Sequence, residues 1–341
     1  MPPPSVTAVH PRQAIEGGRI AIEGTDFPVD EPSLPEVRIG TSAARVVYAS
    51  PTRMAVIVPS GLARGRAAIQ VAGAALSALD AEPFVDVAAP FATGLHQVDN
   101  PVFDARGDLY VTYSGTRGQQ VPVSIFRVRP NGAREPFSSA IMNPTSMAFD
   151  SQGRLHVSSR FEGTVYRVAP DGSAEPFARD LGVACGIAFD ADDAMFVGDR
   201  SGKIFRVDRD ARATVVATLP ESIAAFHLTI GPDRAVYVTA PTLSSRDSLY
   251  RVTLDGTVTV HADGFGRPQG LAFDAHGTLF VVDALAGSNG LYRVRPGSEP
   301  ELVLAGSGLI GLAFDRAGGL VVCSNETAYR LAAAADTHHL Q

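Results

Sequence analysis

Short apolar runs of about five residues, each closed by a turn rich in Gly, Pro or Asp, follow one another along most of the chain. Runs of that length, enriched in Val, Phe and Tyr and bounded by turn residues, predict strands and not helices, so the pattern predicts an all-β protein. Leu279-Phe280-Val281-Val282, after the turn Asp274-Ala275-His276-Gly277, shows the form. Two phrases recur in register with it. The first, aliphatic-Ala-Phe-Asp or a close variant, ends at Asp104, Asp150, Asp190, Asp274 and Asp315, and a weaker copy ends at Gly231; the six anchors are spaced 46, 40, 41, 43 and 41 residues apart. The second, aromatic-Arg-aliphatic, also occurs six times, around Arg127, Arg167, Arg206, Arg251, Arg293 and Arg330.

Each interval reads as four strands: the anchor phrase, the alternating run after its turn, the aromatic-Arg strand, and a last strand such as Ala174–Ala178 after an Asp-Gly turn. A four-stranded unit of about 40 residues is a propeller blade, and six of them closing a ring protect the edges an open sheet would expose. The chain after Arg330 offers no outer strand for the last unit. Pro90-Phe91 stands 13 residues before Asp104, the distance that separates Phe137 from Asp150 and Phe177 from Asp190, so a strand near residues 87–93 is expected to complete the final blade. The domains expected are therefore a β-sandwich over 1–86, a six-bladed propeller over 87–333 and a flexible tail over 334–341.

Composition narrows the function classes. The 33 glycines and 24 prolines fit a turn-rich β-protein, and 45 % hydrophobic against 19 % charged residues provides a core and excludes disorder. Net charge is −7 and Lys203 is the single lysine, so the positive charge is arginine spread along the chain, which argues against a nucleic-acid partner. No apolar run reaches the 18 or so residues of a membrane span. The start, Met1-Pro2-Pro3-Pro4, lacks the basic and apolar regions of a secretory signal, so the expected location is the cytoplasm, or outside it if a leader has been removed. Cys185 and Cys323 fall in different repeats and are expected to be free buried thiols.

In a propeller the starts of the inner strands and the exits of the second strands share one face around the channel. The column five residues before each anchor is Asp99, Thr145, Cys185, Phe226, Gln269 and Ile310; the next column is Asn100, Ser146, Gly186, His227, Gly270 and Gly311. The second strands exit at Tyr113, Ser159, Asp199, Ala240, Asp283 and Ser324, with Arg160 and Arg200 just beyond. Candidate chemistry thus gathers at one channel mouth. His227 and Asp99 are the candidate acid–base pair, and Asn143, Thr145, Arg160, Cys185, Asp199, Gln269 and Asp283 the candidate ligand contacts. For Asp199 and Asp283 a backbone-capping role competes with ligand contact, and for Cys185 a packing role competes with nucleophilic chemistry.

Residues 5–86 resemble the IPT/TIG family, an immunoglobulin-like sandwich. The resemblance rests on Ile22-Glu23-Gly24-Thr25-Asp26-Phe27, the Ser50-Pro51-Thr52-Arg53-Met54 turn, Val56-Ile57-Val58-Pro59, and Gly65 before Ile69-Gln70-Val71. Such domains serve as spacers, dimerisation surfaces or binders of glycans and proteins. Residues 88–331 resemble the senescence-marker-protein/gluconolactonase group and the NHL-repeat proteins. In the first group a channel-bound divalent cation polarises a lactone or phosphoester, and Asp99-Asn100-Pro101-Val102-Phe103-Asp104 looks like the phrase that carries its first ligand. The resemblance implies one cation, Ca²⁺, Mn²⁺ or Zn²⁺, on Asp99, yet Thr145, Cys185 and Phe226 stand where further oxygen ligands are expected. Two functions remain open: a propeller that binds a small molecule, glycan or protein at the channel mouth, or a divergent metal-dependent lactone or ester hydrolase.

Overall fold

The computed structural model describes residues 4–29, 34–72, 82–285 and 288–331, and the expected tail over 334–341 lies outside them. The described residues form strands, turns and loops, and no helix among them is long and apolar enough to cross a membrane. The N-terminal strands pair in the order Ser5–His10, Arg19–Thr25, Arg53–Ile57, Ser42–Ser50, Val37–Ile39, Gly65–Val71, Phe84–Val87. Alternation along Arg19–Thr25 turns Ile20 and Ile22 inward against Ile39, Ile69 and Val85 in one core. Gly24 is fixed by packing: a Cβ there would stand 2.4 Å from the ring of Phe27.

Downstream, five separate four-stranded sheets are observed, where six had been expected. The repeat over Pro268–Ala305 also forms four antiparallel strands, but its sheet does not end there. Its outer strand, Glu301–Ala305, pairs in parallel with the two-residue strand Gln13–Ala14, which pairs on its other side with Phe84–Val87, giving one twelve-stranded sheet. The inner strands of the five sheets and of this fused run neighbour one another in chain order, and the last touches the first. Strand Ala89–Thr93 is the fourth member of the sheet containing Leu309–Arg330, pairing Thr93 with Thr327 and Ala89 with Arg330.

The anchor aspartates explain the repeat. In the five copies ending in Asp, one carboxylate oxygen accepts hydrogen bonds of 2.7–3.0 Å from the backbone N–H groups two and four residues on. The residue between those donors takes a left-handed conformation, which is why it is Gly107, Gly153, Gly277 or Gly318 in four of them. The arginines of the second phrase mostly pair with acids, half-buried Arg127 with Glu135 at 3.0 Å and buried Arg293 with Glu301 at 2.8 Å. They serve the sheets and not the channel.

Candidate functional site at the channel mouth

The second channel column is where inner strands approach most closely. A Cβ on Gly186 would lie 2.6 Å from the carbonyl oxygen of Phe226, one on Gly270 2.7 Å from that of Ile310, and one on Gly311 2.7 Å from that of Asp99. Backbone therefore narrows the channel at this level. Asn100 bridges it: its Nδ2 donates to the Leu271 carbonyl at 2.8 Å and its Oδ1 accepts from the Leu312 N–H at 3.0 Å. On the anchor side of this waist lies a space of about 410 Å³ whose lining combines Phe103, Phe149, Phe189, Phe273 and Phe314 with the polar residues Asp99, Asn100 and Ser146. Asp99 borders this space, whereas Ser159 and Asp199 end their second strands opposite the starts of the inner strands.

Asp99 and His227 meet across the ring. The Asp99 Oδ1 and His227 Nδ1 are 2.6 Å apart, with His227 fully buried and Asp99 2 % exposed. Asp99 Oδ1 also accepts from the Asn100 N–H at 2.7 Å, and Gln97 donates to the Asp99 main-chain carbonyl at 2.6 Å, so both the carboxylate and its backbone are held by the segment just before the inner strand. A carboxylate on Nδ1 places that proton on Nδ1 and leaves Nε2 as an acceptor. The His227 Nε2 is buried and has no hydrogen-bond partner, as is Ser114 Oγ. Phe226, in the register position next to His227, is fully buried in the same core cluster as Cys185.

The other sequence candidates have distinct roles. Asp199 accepts from the Val183 N–H at 2.8 Å, and Asp283 from the Gly266 and Arg267 N–H groups at 2.9 and 2.7 Å, so both carboxylates cap the turn leading into their own inner strand. Burial raises the Asp283 pKa against the opposing pull of those donors. Cys185 donates its thiol proton to the Val183 carbonyl, and burial pushes its pKa up to about 12, which keeps it a thiol and removes it as a nucleophile at neutral pH. Thr145 is buried and bonds the Asn143 carbonyl, while the carbonyl of half-buried Gln269 receives the Thr239 hydroxyl. Asn143, in a left-handed conformation with φ 46°, donates to the Ser114 and Thr116 carbonyls and accepts from the Gly118 N–H. It pins the loop that carries Arg117.

Arg160 follows the second strand Leu155–Ser159 directly, half-buried and in the electrostatic range of Arg200 and Arg117. Burial above all lowers its pKa; Cys185 opposes that, and the Arg200 and Arg117 guanidinium groups add smaller lowering effects. Sequence reasoning had placed Arg160 and Arg200 here but missed Arg117. The available signal was length, because the first anchor interval of 46 residues is the longest and its extra residues lie in the loop carrying Arg117.

A divalent cation on Asp99 does not fit this arrangement. Among the described residues no three His, Cys, Asp or Glu side chains come together in a metal-holding group. The Asp99 Oδ1 is bound to His227 and the Asn100 N–H, and the flanking column offers a hydroxyl, a thiol and a phenyl ring in place of further carboxylates.

Residues 4–84 match the IPT/TIG domain family. No curated protein matches the chain. Among solved structures, an auxiliary nutrient binding protein from Bacteroides thetaiotaomicron aligns over 96 % of this chain and 97 % of its own, with 12 % identity and a TM-score of 0.57. A putative gluconolactonase aligns over 71 % of this chain and 90 % of its own, with 16 % identity and a TM-score of 0.59. A gluconolactonase from Xanthomonas campestris covers 70 % and 88 %, with 17 % identity and a TM-score of 0.56. At such identities these likenesses define the class as an all-β protein with an IPT/TIG domain and a β-propeller. The chain is similar to a nutrient-binding protein over nearly its whole length and to gluconolactonases over the propeller.

Proposed function

We propose that the chain is an IPT/TIG sandwich over 1–86 followed by a small-molecule-binding propeller over 87–333, with the site at the mouth of the propeller channel. In this reading the run Pro268–Ala305 counts as a blade, which makes the ring six-bladed with Asp99 and His227 three inner strands apart. One observation carries the proposal: the buried Asp99–His227 pair crosses the ring and leaves Nε2 without a partner. A buried imidazole nitrogen lacking a hydrogen bond is costly; His156 carries the same cost packed against Phe177 and Phe189 within a blade, whereas His227 stands in a channel column, where a ligand or water can supply the missing donor. The full-length likeness to a nutrient-binding protein supports binding as the outcome.

A second reading has its own support. An imidazole fixed by a carboxylate on Nδ1 and free on Nε2 is a general base. In a lactone hydrolase water would attack the carbonyl carbon and give its proton to Nε2, Asp99 would stabilise the imidazolium, and the ring oxygen would take that proton as the carbon–oxygen bond breaks. One experiment separates the readings. Glucono-δ-lactone and its open acid are titrated calorimetrically into wild type and His227→Ala, with lactone consumption followed in parallel. Binding without turnover, weakened at least tenfold in His227→Ala, is expected; turnover lost in the variant favours the hydrolase, and identical binding by both proteins overturns a site at this pair.

A further inference from the structure

The charges at the mouth are unevenly committed. Every carboxylate of the candidate set is already bound inside the fold, Asp99 to His227 and the Asn100 N–H, Asp199 to the Val183 N–H and the Ser201 hydroxyl, and Asp283 to the Gly266 and Arg267 N–H groups. The guanidinium groups are not. Among the described residues, Arg117, Arg160 and Arg200 have no carboxylate within salt-bridge distance, and the single side-chain bond of the three runs from Arg200 Nη2 to the Ile223 carbonyl at 3.1 Å. Most arginines of the repeat phrase behave otherwise, with acids at hand on the neighbouring strand or turn.

Bringing three like charges together is unfavourable, and partial burial of Arg160 adds to the cost. The fold nevertheless builds the cluster deliberately. Arg160 and Arg200 leave adjacent second strands directly after Ser159 and Asp199, and both of these residues are tied down, Ser159 Oγ to the Met142 carbonyl at 2.6 Å and Asp199 to its turn. Arg117 arrives on the loop held by Asn143 through Ser114, Thr116 and Gly118, and Gly118 packs on the ring of Phe161, the residue after Arg160. The buried, unpartnered Ser114 Oγ belongs to the same loop. Planar guanidinium forks without internal partners are suited to a carboxylate or phosphate, which they bind through paired N–H donors.

We infer that the ligand of the channel mouth is a small molecule bearing an oxyanion, a carboxylate or a phosphate, received by Arg160 and Arg200 with Arg117 closing over it. This rests on the proposed mouth site and adds the charge of what occupies it. His227 and Ser114 then face the uncharged part of the same molecule, so a polyhydroxylated acid or a sugar phosphate has the right chemistry.

The test uses the full chain and four probes: gluconate, glucose 6-phosphate, neutral glucose and glucono-δ-lactone, each titrated calorimetrically at low and at 0.5 M NaCl. Expected is binding of at least one of the two anions, weakened by salt and reduced at least tenfold in Arg160→Gln/Arg200→Gln, with Arg209→Gln as a control remote from the mouth. Gluconate alone, or glucose 6-phosphate alone, identifies which oxyanion is received. Because the removed groups have no internal acidic partner, the double variant should melt no lower than wild type without ligand at low salt, which separates lost binding from misfolding. Anion binding unchanged in the double variant overturns the inference. So does binding confined to glucose or the lactone and lost in His227→Ala, a result that leaves the mouth site standing; no binding of any probe overturns both.

Discussion

His156 shows how one residue can carry both a stability cost and a pH response. The repeat puts Tyr110, Phe196, Tyr237 and Phe280 at the matching second-strand position, where each packs in a blade core. His156 is buried edge-on to Phe177 and Phe189, its Nε2 is 3.3 Å from Asp150, and its Nδ1 has no partner. Burial lowers its pKa from 6.5 against the pull of Asp150, so the folded protein holds it neutral while the unfolded chain takes up a proton near 6.5. Stability from this group is therefore present above that value and falls as the pH drops below it. His156→Phe should flatten the decline in melting temperature between pH 7.5 and 5.5, without abolishing it because half-buried His96 and His261 are lowered too. At neutral pH the variant should gain about 1 kcal/mol by removing an unsatisfied buried nitrogen, since Asp150 keeps its bonds to Gln152 and Arg154. Chemical denaturation at both pH values checks this, and an unchanged slope would show that the imidazole does not titrate with unfolding.

At the scale of the strand, the glycine of the anchor phrase does the work that fixes the channel. Gly311 has ordinary backbone angles, so its requirement is space and not conformation: a Cβ would meet the Asp99 carbonyl at 2.7 Å and the Asn100 Cα at 2.8 Å. Neither atom can yield without moving the backbone segment that presents Asp99 to His227. Gly311→Ala should cost about 1–3 kcal/mol as an overpacked contact and also weaken mouth binding, whereas Gly318→Ala, strained but distant, should cost stability alone. The pairing of those two readouts tests the coupling, and Gly311→Ala with full ligand affinity would refute it. This level of organisation was legible because local chemistry repeats: the Asp turn recurs in five of the six copies, the left-handed glycine in four and the close-approach glycine in three. The Asp99–His227 contact was legible only in part. Both residues stood in the channel columns, but they lie in different columns and 128 residues apart, and register within a blade says nothing about which side chains meet across a ring.

At the scale of the molecule, the two domains are joined by interlocking and not by a tether. Phe84–Val87 ends the sandwich and Ala89–Thr93 completes a propeller sheet, so Ala88 alone separates them, and its N–H is bound to the Ala14 carbonyl at 2.9 Å. The strand Gln13–Ala14 lies between the sandwich edge and the propeller strand Glu301–Ala305, satisfying both edges, and the next residue, Ile15, enters the propeller core with Phe280, Leu304 and Leu309. Ala305 returns the contact as a member of the sandwich core. Nothing in the sequence announced this, because a two-residue strand has no alternation to read and its partners are 73 and 291 residues away. The fusion is also why the four strands over Pro268–Ala305 do not form a separate sheet. An arrangement with shared cores and no slack should unfold as one unit. Calorimetry of the full chain should give a single transition, and Ile15→Ala, which opens a cavity at the seam, should lower the midpoint of that one transition by an amount equivalent to about 2–5 kcal/mol. Two transitions in wild type, with Ile15→Ala shifting only the later of them, would mean that sandwich and propeller fold independently despite the continuous sheet.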